Sequence, residues 1–506
     1  AAENSQEERD RRTATQLLRI SIQENRETGM SVLGICFPCL TLARRYDPLV
    51  MTREFRQQRG RAPMLIDLQA KIEADLQVRL SKLSYPRENG TGRKDERWYW
   101  AAPLLMDRKN YPEESMRWFD QPQLAGHWSG EDGKAWPLHV ERARQMFQGN
   151  EGLGPMPDDL PAVMTELALG GPATVAFRAL SRVHPSDSYK SEAMRNAAAR
   201  IGWAFRSLFN RFDAVSLLRG LKKHDPYWRG VLDYCASGNL QSVMDEYIHV
   251  LRDALGLSNT DLEDSVAGLA EAVCEALGIM PATLVVDDLT VQKGKVRKET
   301  HRMPTRFALA FGQGKEEDTG VSDASRSHKV REAFNSPFWP FVVASTSIGQ
   351  EGLDFHLYCH AVMHWNLPSN PVDLEQREGR VHRFKGHAVR KNLAQKYGQD
   401  VLKKYTRDPL QELFRQGRNN RRKEDSDLVP FWIFPLEHGA FIERHVSALP
   451  LTRDRQLLES LRRSLVVYRM VFGQPRQEDL VEYLLKRFPE EERTELVDRL
   501  KIDLSP

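Results

Sequence analysis

The stretch that decides the fold runs from Lys329 to Gly386, KVREAFNSPFWPFVVASTSIGQEGLDFHLYCHAVMHWNLPSNPVDLEQREGRVHRFKG. It contains two short apolar runs, PFVVAS (340–345) and AVMHW (361–365), and a third, RFALAFG (306–312), precedes it. Apolar runs of this length suit strands buried on both faces of a parallel sheet. SRSHKVREAF, between the first two runs in chain order, has helical character, and so does DLEQREGRVHRFKG after the last. Strand, helix, strand, strand, helix over roughly 90 residues predicts an α/β fold, a parallel sheet flanked by helices. In such sheets ligands collect at the carboxyl ends of the strands, so the chemistry is sought there.

Two clusters stand at those ends. The first, Ala344 to Asp354 (ASTSIGQEGLD), begins where a strand ends. Its small and hydroxyl residues, Ser345 and Thr346 among them, leave N–H groups and Oγ atoms open to a phosphate. Gly349 and Gly352 allow close backbone approach, and Asp354 can accept from a ribose or an arginine. An ordinary strand–loop turn is the competing reading. The second cluster is Gln376 to Arg383 (QREGRVHR). On a helix Gln376, Arg380 and Arg383 fall at i, i+4 and i+7, one face. Two always-charged guanidiniums beside a glycine suit a phosphate chain, which they bind through paired hydrogen bonds. A solvated basic helix face is the alternative, weakened because both clusters occur in order, separated by an apolar strand and the turn NLPSNPVDLE.

Further out, the charge pattern favours a nucleic-acid partner. Residues 376–423 hold fifteen Lys and Arg, Arg390 and Lys391 included, against four acidic residues, a net charge of +11 compared with +3 for the whole chain. A phosphodiester backbone rewards such a concentration through counterion release, and a merely solvated surface is the bland alternative. LLESLRRSLVVYRMVFGQ and EDLVEYLLKRF near the end are amphipathic, a small helical cap or docking surface. Upstream, ATLVVDDLTVQ and KVRKETHRM flank Lys293-Gly294 and predict a β-hairpin.

The first 300 residues or so read as mostly helical. Helical spacing of apolar residues appears from Asp67, Ser191, Asn239 and Asp261, with Asn239 and Asp261 as N-caps. Residues 84–136 look looser and rich in Gly, Pro and Trp. The chain therefore divides into a mainly helical accessory region (1–280), an α/β domain (281–400) and a basic, helical C-terminal region (401–506).

Composition bounds the rest. The chain has 506 residues, 41% hydrophobic and 28% charged, enough to bury a sizeable core. No stretch of about 18 apolar residues offers a spanning helix, and the polar start AAENSQEERDRR has no signal-peptide core, so no membrane is expected. Five cysteines, an odd number, argue for the reducing cytoplasm rather than a secreted disulfide scaffold. Cys36 and Cys39 form CFPC without a second pair to close a zinc site, and read as ordinary thiols. His356, His360 and His364 recur every four residues but straddle a predicted strand, against metal binding. Asp287-Asp288 has no general acid/base partner in sight, and Trp98, Tyr99 and Trp100 suit packing better than base stacking.

Lys329–Gly386 resembles the second RecA-like domain of superfamily 2 helicases. ASTSIGQEGLDF (344–355) resembles their motif V, and QREGRVHR resembles motif VI, the Q-x-x-G-R-x-x-R pattern. The spacing is closest to the Swi/Snf-type ATPases, especially the bacterial branch acting on stalled RNA polymerase. Large helicase-like proteins of bacterial anti-phage islands share it. The resemblance covers about 330–390, with a looser match from about 305. It implies a RecA-like parallel sheet and an ATP-dependent nucleic-acid helicase or translocase, DNA being the favoured track. Arg380 and Arg383 match the arginines that reach the γ-phosphate of ATP, a contribution on the order of 10³–10⁵ in rate. Gln376 matches the residue that couples nucleotide to nucleic acid, Ser345 and Thr346 the backbone-contacting part of motif V, and Gly352 and Asp354 its nucleotide-proximal end.

The sequence has no G-x-x-x-x-G-K-[ST] and no D-E-x-H-like box. By the resemblance, the phosphate cradle and Mg²⁺ site belong to a first RecA-like domain in another part of the protein or another chain. Residues 1 to about 300 are then a helical insertion within or before the second RecA domain. The alternative is a non-catalytic nucleic-acid-binding or scaffolding subunit of a bacterial defence complex, with other defence-system proteins as partners.

Overall fold

Serine, cysteine and aspartate at successive chain bends start the first helices. The computed structural model describes residues 30–88, 94–120, 131–221, 226–278, 282–292, 295–305, 323–344, 354–404, 406–423, 425, 428–447, 453–470, 486–489, 492 and 495. Ser31, Cys39 and Asp47 accept hydrogen bonds from the first turns of α1 (Val32–Cys36), α2 (Leu40–Arg45) and α3 (Pro48–Arg59). α4 (Leu65–Leu80), α5 (Trp98–Asn110), α6 (Pro112–Asp120) and α7 (Glu131–Gln148) follow. The described residues of 84–136 are thus largely helical. Trp98 to Asp107 of α5 are all buried, so the apolar residues there show no single-sided period. The aromatic trio at its start serves packing: Tyr85 meets Trp98 edge-on at 4.5 Å, and Trp98 Nε1 donates to Gly154 O at 2.9 Å.

The centre of this first unit is built from α8 (Leu160–Gly170), α9 (Pro172–Val183), α10 (Glu192–Phe209), α11 (Phe212–Leu221), α12 (Tyr227–Ser237), α13 (Leu240–Ala254) and α14 (Leu262–Leu277). Asn239 and Asp261 cap α13 and α14 as the sequence predicts, and Ser191 caps α10 in the same way. α9 packs on α10 and α13, and α10 on α14. The α9–α10 approach is close enough that a Cβ on Gly202 would lie 2.9 Å from Ala173 Cβ and 3.0 Å from Ile35 O. The most apolar stretch, Leu160–Val183, has the length and composition of a spanning segment, but 83% of it is buried inside this unit.

A polar network ties these helices together. Asp107, fully buried, accepts from Leu40 N (2.9 Å) and Thr41 N (2.8 Å) and lies 3.6 Å from the Arg195 guanidinium. It therefore supplies the acceptors that the first turn of α2 needs. Burial pushes its carboxyl above the ordinary value, against the pull of Arg195 and the Thr41 and Leu40 donors. Arg178 closes the other end of α2, donating to Ala43 O at 2.8 Å and Leu42 O at 3.0 Å. Cys36 and Cys39 are buried free thiols, pushed up by burial, Cys36 to about 12.

Residues 400–410 group with residues 1–279, and the remainder forms a second unit. There the hairpin is present: β1 (Ala282–Gln292) pairs antiparallel with β2 (Lys295–Thr305). α15 (Asp323–Phe334) follows, then β3 (Ala361–His364), α16 (Pro371–Gly379), α17 (His387–Lys403), α18 (Pro409–Asn419), β4 (Glu443–Val446) and α19 (Asp454–Met470). RFALAFG (306–312) lies outside the described residues. PFVVAS forms no strand over Pro340–Ala344, where Phe341 and Val342 are 78% exposed. A strand exists only through a pairing partner, and none faces this segment among the described residues. AVMHW does form one, yet its neighbour is β4, with Ala361 opposite Glu443 in parallel register. Among the described residues, the parallel sheet is this two-stranded piece, part of the larger RecA-like sheet that was expected.

Candidate functional site

The site is set by how α16 begins and ends. Asn370 Oδ1 accepts from Val372 N at 2.9 Å, Pro371 sits where a missing N–H costs nothing, and Leu374 anchors the helix to Leu461 and Leu465 of α19. The helix stops at Gly379. His382 N returns to Glu378 O at 3.2 Å and Val381 N reaches the same oxygen at 2.9 Å, a tightened last turn. Gln376, Arg380 and Arg383 therefore do not share one helix face. Gln376 is exposed on α16, Arg380 is its C-cap residue and half-buried, and Arg383 lies in the turn beyond.

That turn is laced to the end of the motif V segment. Phe355 N donates to Arg380 O at 3.0 Å, and Asn335 Nδ2 donates to Asp354 O at 2.7 Å. Arg383 Nη2 meets Asp354 Oδ1 at 2.9 Å, with both side chains close to half exposed. Arg383 Nε is buried and has no hydrogen-bond partner among the described residues. Asp354 and Arg383 are thus brought together. Ser345, Thr346 and Gly352 lie outside the described residues.

Behind the turn lies a cleft of about 810 Å³, lined by Gly379, His382, Arg383, Asn392, Trp432 and Arg444 among others. Its wall is organised by Glu378, a residue that sequence reasoning passed over. Glu378 Oε1 accepts from His364 Nε2 of β3 at 3.1 Å, and its carboxylate forms a two-point ion pair with Arg444 of β4. Burial raises its pKa, but the bonds from His364 and Arg444 outweigh burial and bring it down to about 2. One carboxylate therefore ties the helix of the arginine cluster to both strands. Asn335 and Arg444 lie 41 and 68 residues from Gln376, too far for spacing to reveal them as partners, and His364 stands out in the sequence only as one of a series of histidines.

Arg390 and Lys391 separate. Arg390 is buried, donates to Leu357 O (2.6 Å) and Lys385 O (2.7 Å), and stacks over Tyr358. The assignment of Arg390 to a nucleic-acid backbone is corrected: its guanidinium holds the 357 and 385 segments together. Lys391 is exposed, as are Lys396, Arg418, Arg421, Arg422 and Lys423. Lys385 is held against aromatic rings, its Nζ 4.6 Å from the Phe414 centroid. Among the described residues no group of three or more His, Cys, Asp or Glu is placed to hold a metal ion, and His364 of the histidine series is engaged by Glu378.

Residues 318–385 match the family described as the helicase conserved C-terminal domain. This span takes in α15, β3, α16 and the Arg380–Arg383 turn, and supports a helicase C-terminal domain in this part of the chain. No curated protein and no solved structure matches the chain.

Proposed function

We propose that this chain supplies the second motor domain of an ATP-dependent nucleic-acid helicase or translocase of the Swi/Snf-like kind, working in the cytoplasm on DNA. The observation that carries the reading is Arg383. It stands at the rim of a cleft, inside the helicase C-terminal span, with one edge on the anionic Asp354 and its Nε unpartnered among the described residues. A guanidinium already seated on a carboxylate suits a phosphate oxygen as well, since both take its paired donors. ATP and Mg²⁺ supply the reactive triphosphate, bound mainly by a first RecA-like domain, and two guanidiniums stabilise the charge that develops there. Arg380 and Arg383 are the residues assigned to that task, Gln376 to coupling, and Gly352 and Asp354 to the nucleotide edge. Ser345 and Thr346 are assigned to the nucleic-acid backbone, joined by exposed Lys391 and Lys396, while Arg390 supports them from the interior.

The Arg383–Asp354 ion pair also favours a second reading, a scaffolding subunit of a defence complex in which the arginine is satisfied internally. Turnover separates the two. In the assembly with the first motor domain, Arg383→Ala is expected to lower ATP hydrolysis by about 10³-fold or more while nucleic-acid affinity stays within a few-fold. Normal ATP turnover in that variant would remove the motor assignment.

A further inference from the structure

Four aromatic rings of the second unit form a ladder that begins in its core and ends in solvent. Phe414, buried in α18, stacks on Phe431 with centroids 5.7 Å apart and planes 1° apart. Phe431 stacks in turn on Phe384, at 5.8 Å and 16°. Trp432 stands against Phe384 at 6.1 Å and 64°, so the outer end is a corner made of two rings. Phe384 and Trp432 are 42% and 41% exposed. Rings left this far in water add little to the core, and adjacent exposed aromatics point to a contact surface. The corner is held in place. Lys385 N donates to Phe431 O at 2.7 Å, and His382 Nε2 lies 3.1 Å from Trp432 O, so the two segments that carry the rings are bonded on both sides of Phe384. Lys385 is fixed at φ 51°, in the left-handed region that a residue with a side chain rarely adopts, and Arg390 Nη1 donates to its carbonyl at 2.7 Å.

The surroundings are cationic. The segments that supply the rings, residues 382–391, 411–423 and 428–436, carry nine Lys and Arg against one acidic residue, Glu412, which Arg415 engages at 2.6 Å. The Lys385 ammonium rests 5.5 Å from the Phe384 centroid. Aromatic faces set in a basic surface are the two components of single-strand recognition: cations track the phosphates, and rings stack bases whatever the sequence. A duplex offers phosphates but keeps its base faces stacked on each other. Resting on the nucleic-acid reading of this unit, we infer that Phe384 and Trp432 stack an unpaired base of a bound single strand, immediately after the arginine turn.

The test is fluorescence anisotropy of the full chain with labelled oligonucleotides of about 20 nucleotides at constant ionic strength: a thymidine strand, a strand of abasic sites of the same length, and a duplex. The wild type should bind the thymidine strand about tenfold or more tighter than the abasic one. Phe384→Leu and Trp432→Leu should each weaken binding of the thymidine strand about fivefold or more and leave the duplex within about twofold. Trp432→Phe keeps a flat ring and should retain most of the affinity. The abasic comparison uses the unaltered protein, so it decides even where a variant folds poorly. Equal affinity for thymidine and abasic strands overturns the inference and leaves the corner to a protein contact. An equal loss on strand and duplex in the leucine variants overturns it too. If the bases prove irrelevant while Arg383→Ala in the assembled motor still loses ATP turnover, the stacking falls and the motor reading stands. If no oligonucleotide binds, the stacking and the nucleic-acid reading of this unit fall together.

Discussion

Replacing Glu378 by glutamine keeps the size of the side chain and removes its charge. The carboxyl titrates at about 2 in the folded protein against an ordinary 4.5, with its side chain 22% exposed. That difference corresponds to roughly 3 kcal/mol at neutral pH, and water at the exposed edge trims it to about 2–3 kcal/mol. Because the folded value is the lower one, the stabilisation is fully present above about pH 4.5. It is lost progressively as pH falls toward about 2. The effect is local to the two strands and α16, so the suitable assay is amide hydrogen exchange in peptides covering Ala361–His364, Pro371–Gly379 and Glu443–Val446. At pH 7, Glu378→Gln should lower protection there by about 30- to 150-fold. The variant should also lose most of the wild type's dependence on pH between 4.5 and 2.5. Adding Arg444→Gln to Glu378→Gln should cost less than the sum of the two, since they share one ion pair. Protection unchanged within about twofold in Glu378→Gln, or identical pH profiles for variant and wild type, would refute the assignment of Glu378 as the tie between helix and strands.

Two further outcomes follow from the buried cations and anions. Asp107→Ala strips the first turn of α2 of its acceptors and leaves the buried Arg195 guanidinium unneutralised, so the first unit should lose about 3–5 kcal/mol in urea unfolding. Asp107→Asn should lose less, since one acceptor remains. In the 376–423 segment, Arg390→Met should destabilise the second unit by about 1–3 kcal/mol and leave the salt dependence of DNA binding unchanged. Lys391→Gln should leave stability unchanged and reduce the slope of log affinity against log salt by about 1. Equal salt slopes for the two variants would contradict the separation of these neighbours.

The helices of the first unit were legible where one face is apolar and a capping side chain marks the start. Asn239 and Asp261 each do in the structure what the sequence suggests. α5 was not legible, because a helix buried on every side loses its period and Pro103 lies within it. β3 was found from its apolar run, but its partner β4, ERHV, carries no strand signal of its own and is defined by pairing alone. In the arginine cluster the residue types were read correctly and their geometry was not. Gly379 ends the helix one residue before Arg380, so periodicity stops being a guide there. Arg390 and Lys391 look alike in sequence, and only the carbonyls of Leu357 and Lys385 distinguish a structural cation from a solvent-facing one.

The segment 400–410 has a bearing on how the chain is made. His249 of α13 is bonded to Asp408 at 2.7 Å, Arg53 to Thr406 O, and Ser181 O to Arg407. Residues 1–279 therefore emerge from the ribosome well before the last piece of their own unit exists. Until residue 410 is synthesised, these bonds of His249, Arg53 and Ser181 cannot form. Fragments cut at 279 would inherit that gap, and a stable fragment of the first unit would need residues 400–410 supplied as a separate peptide or spliced on through a short loop.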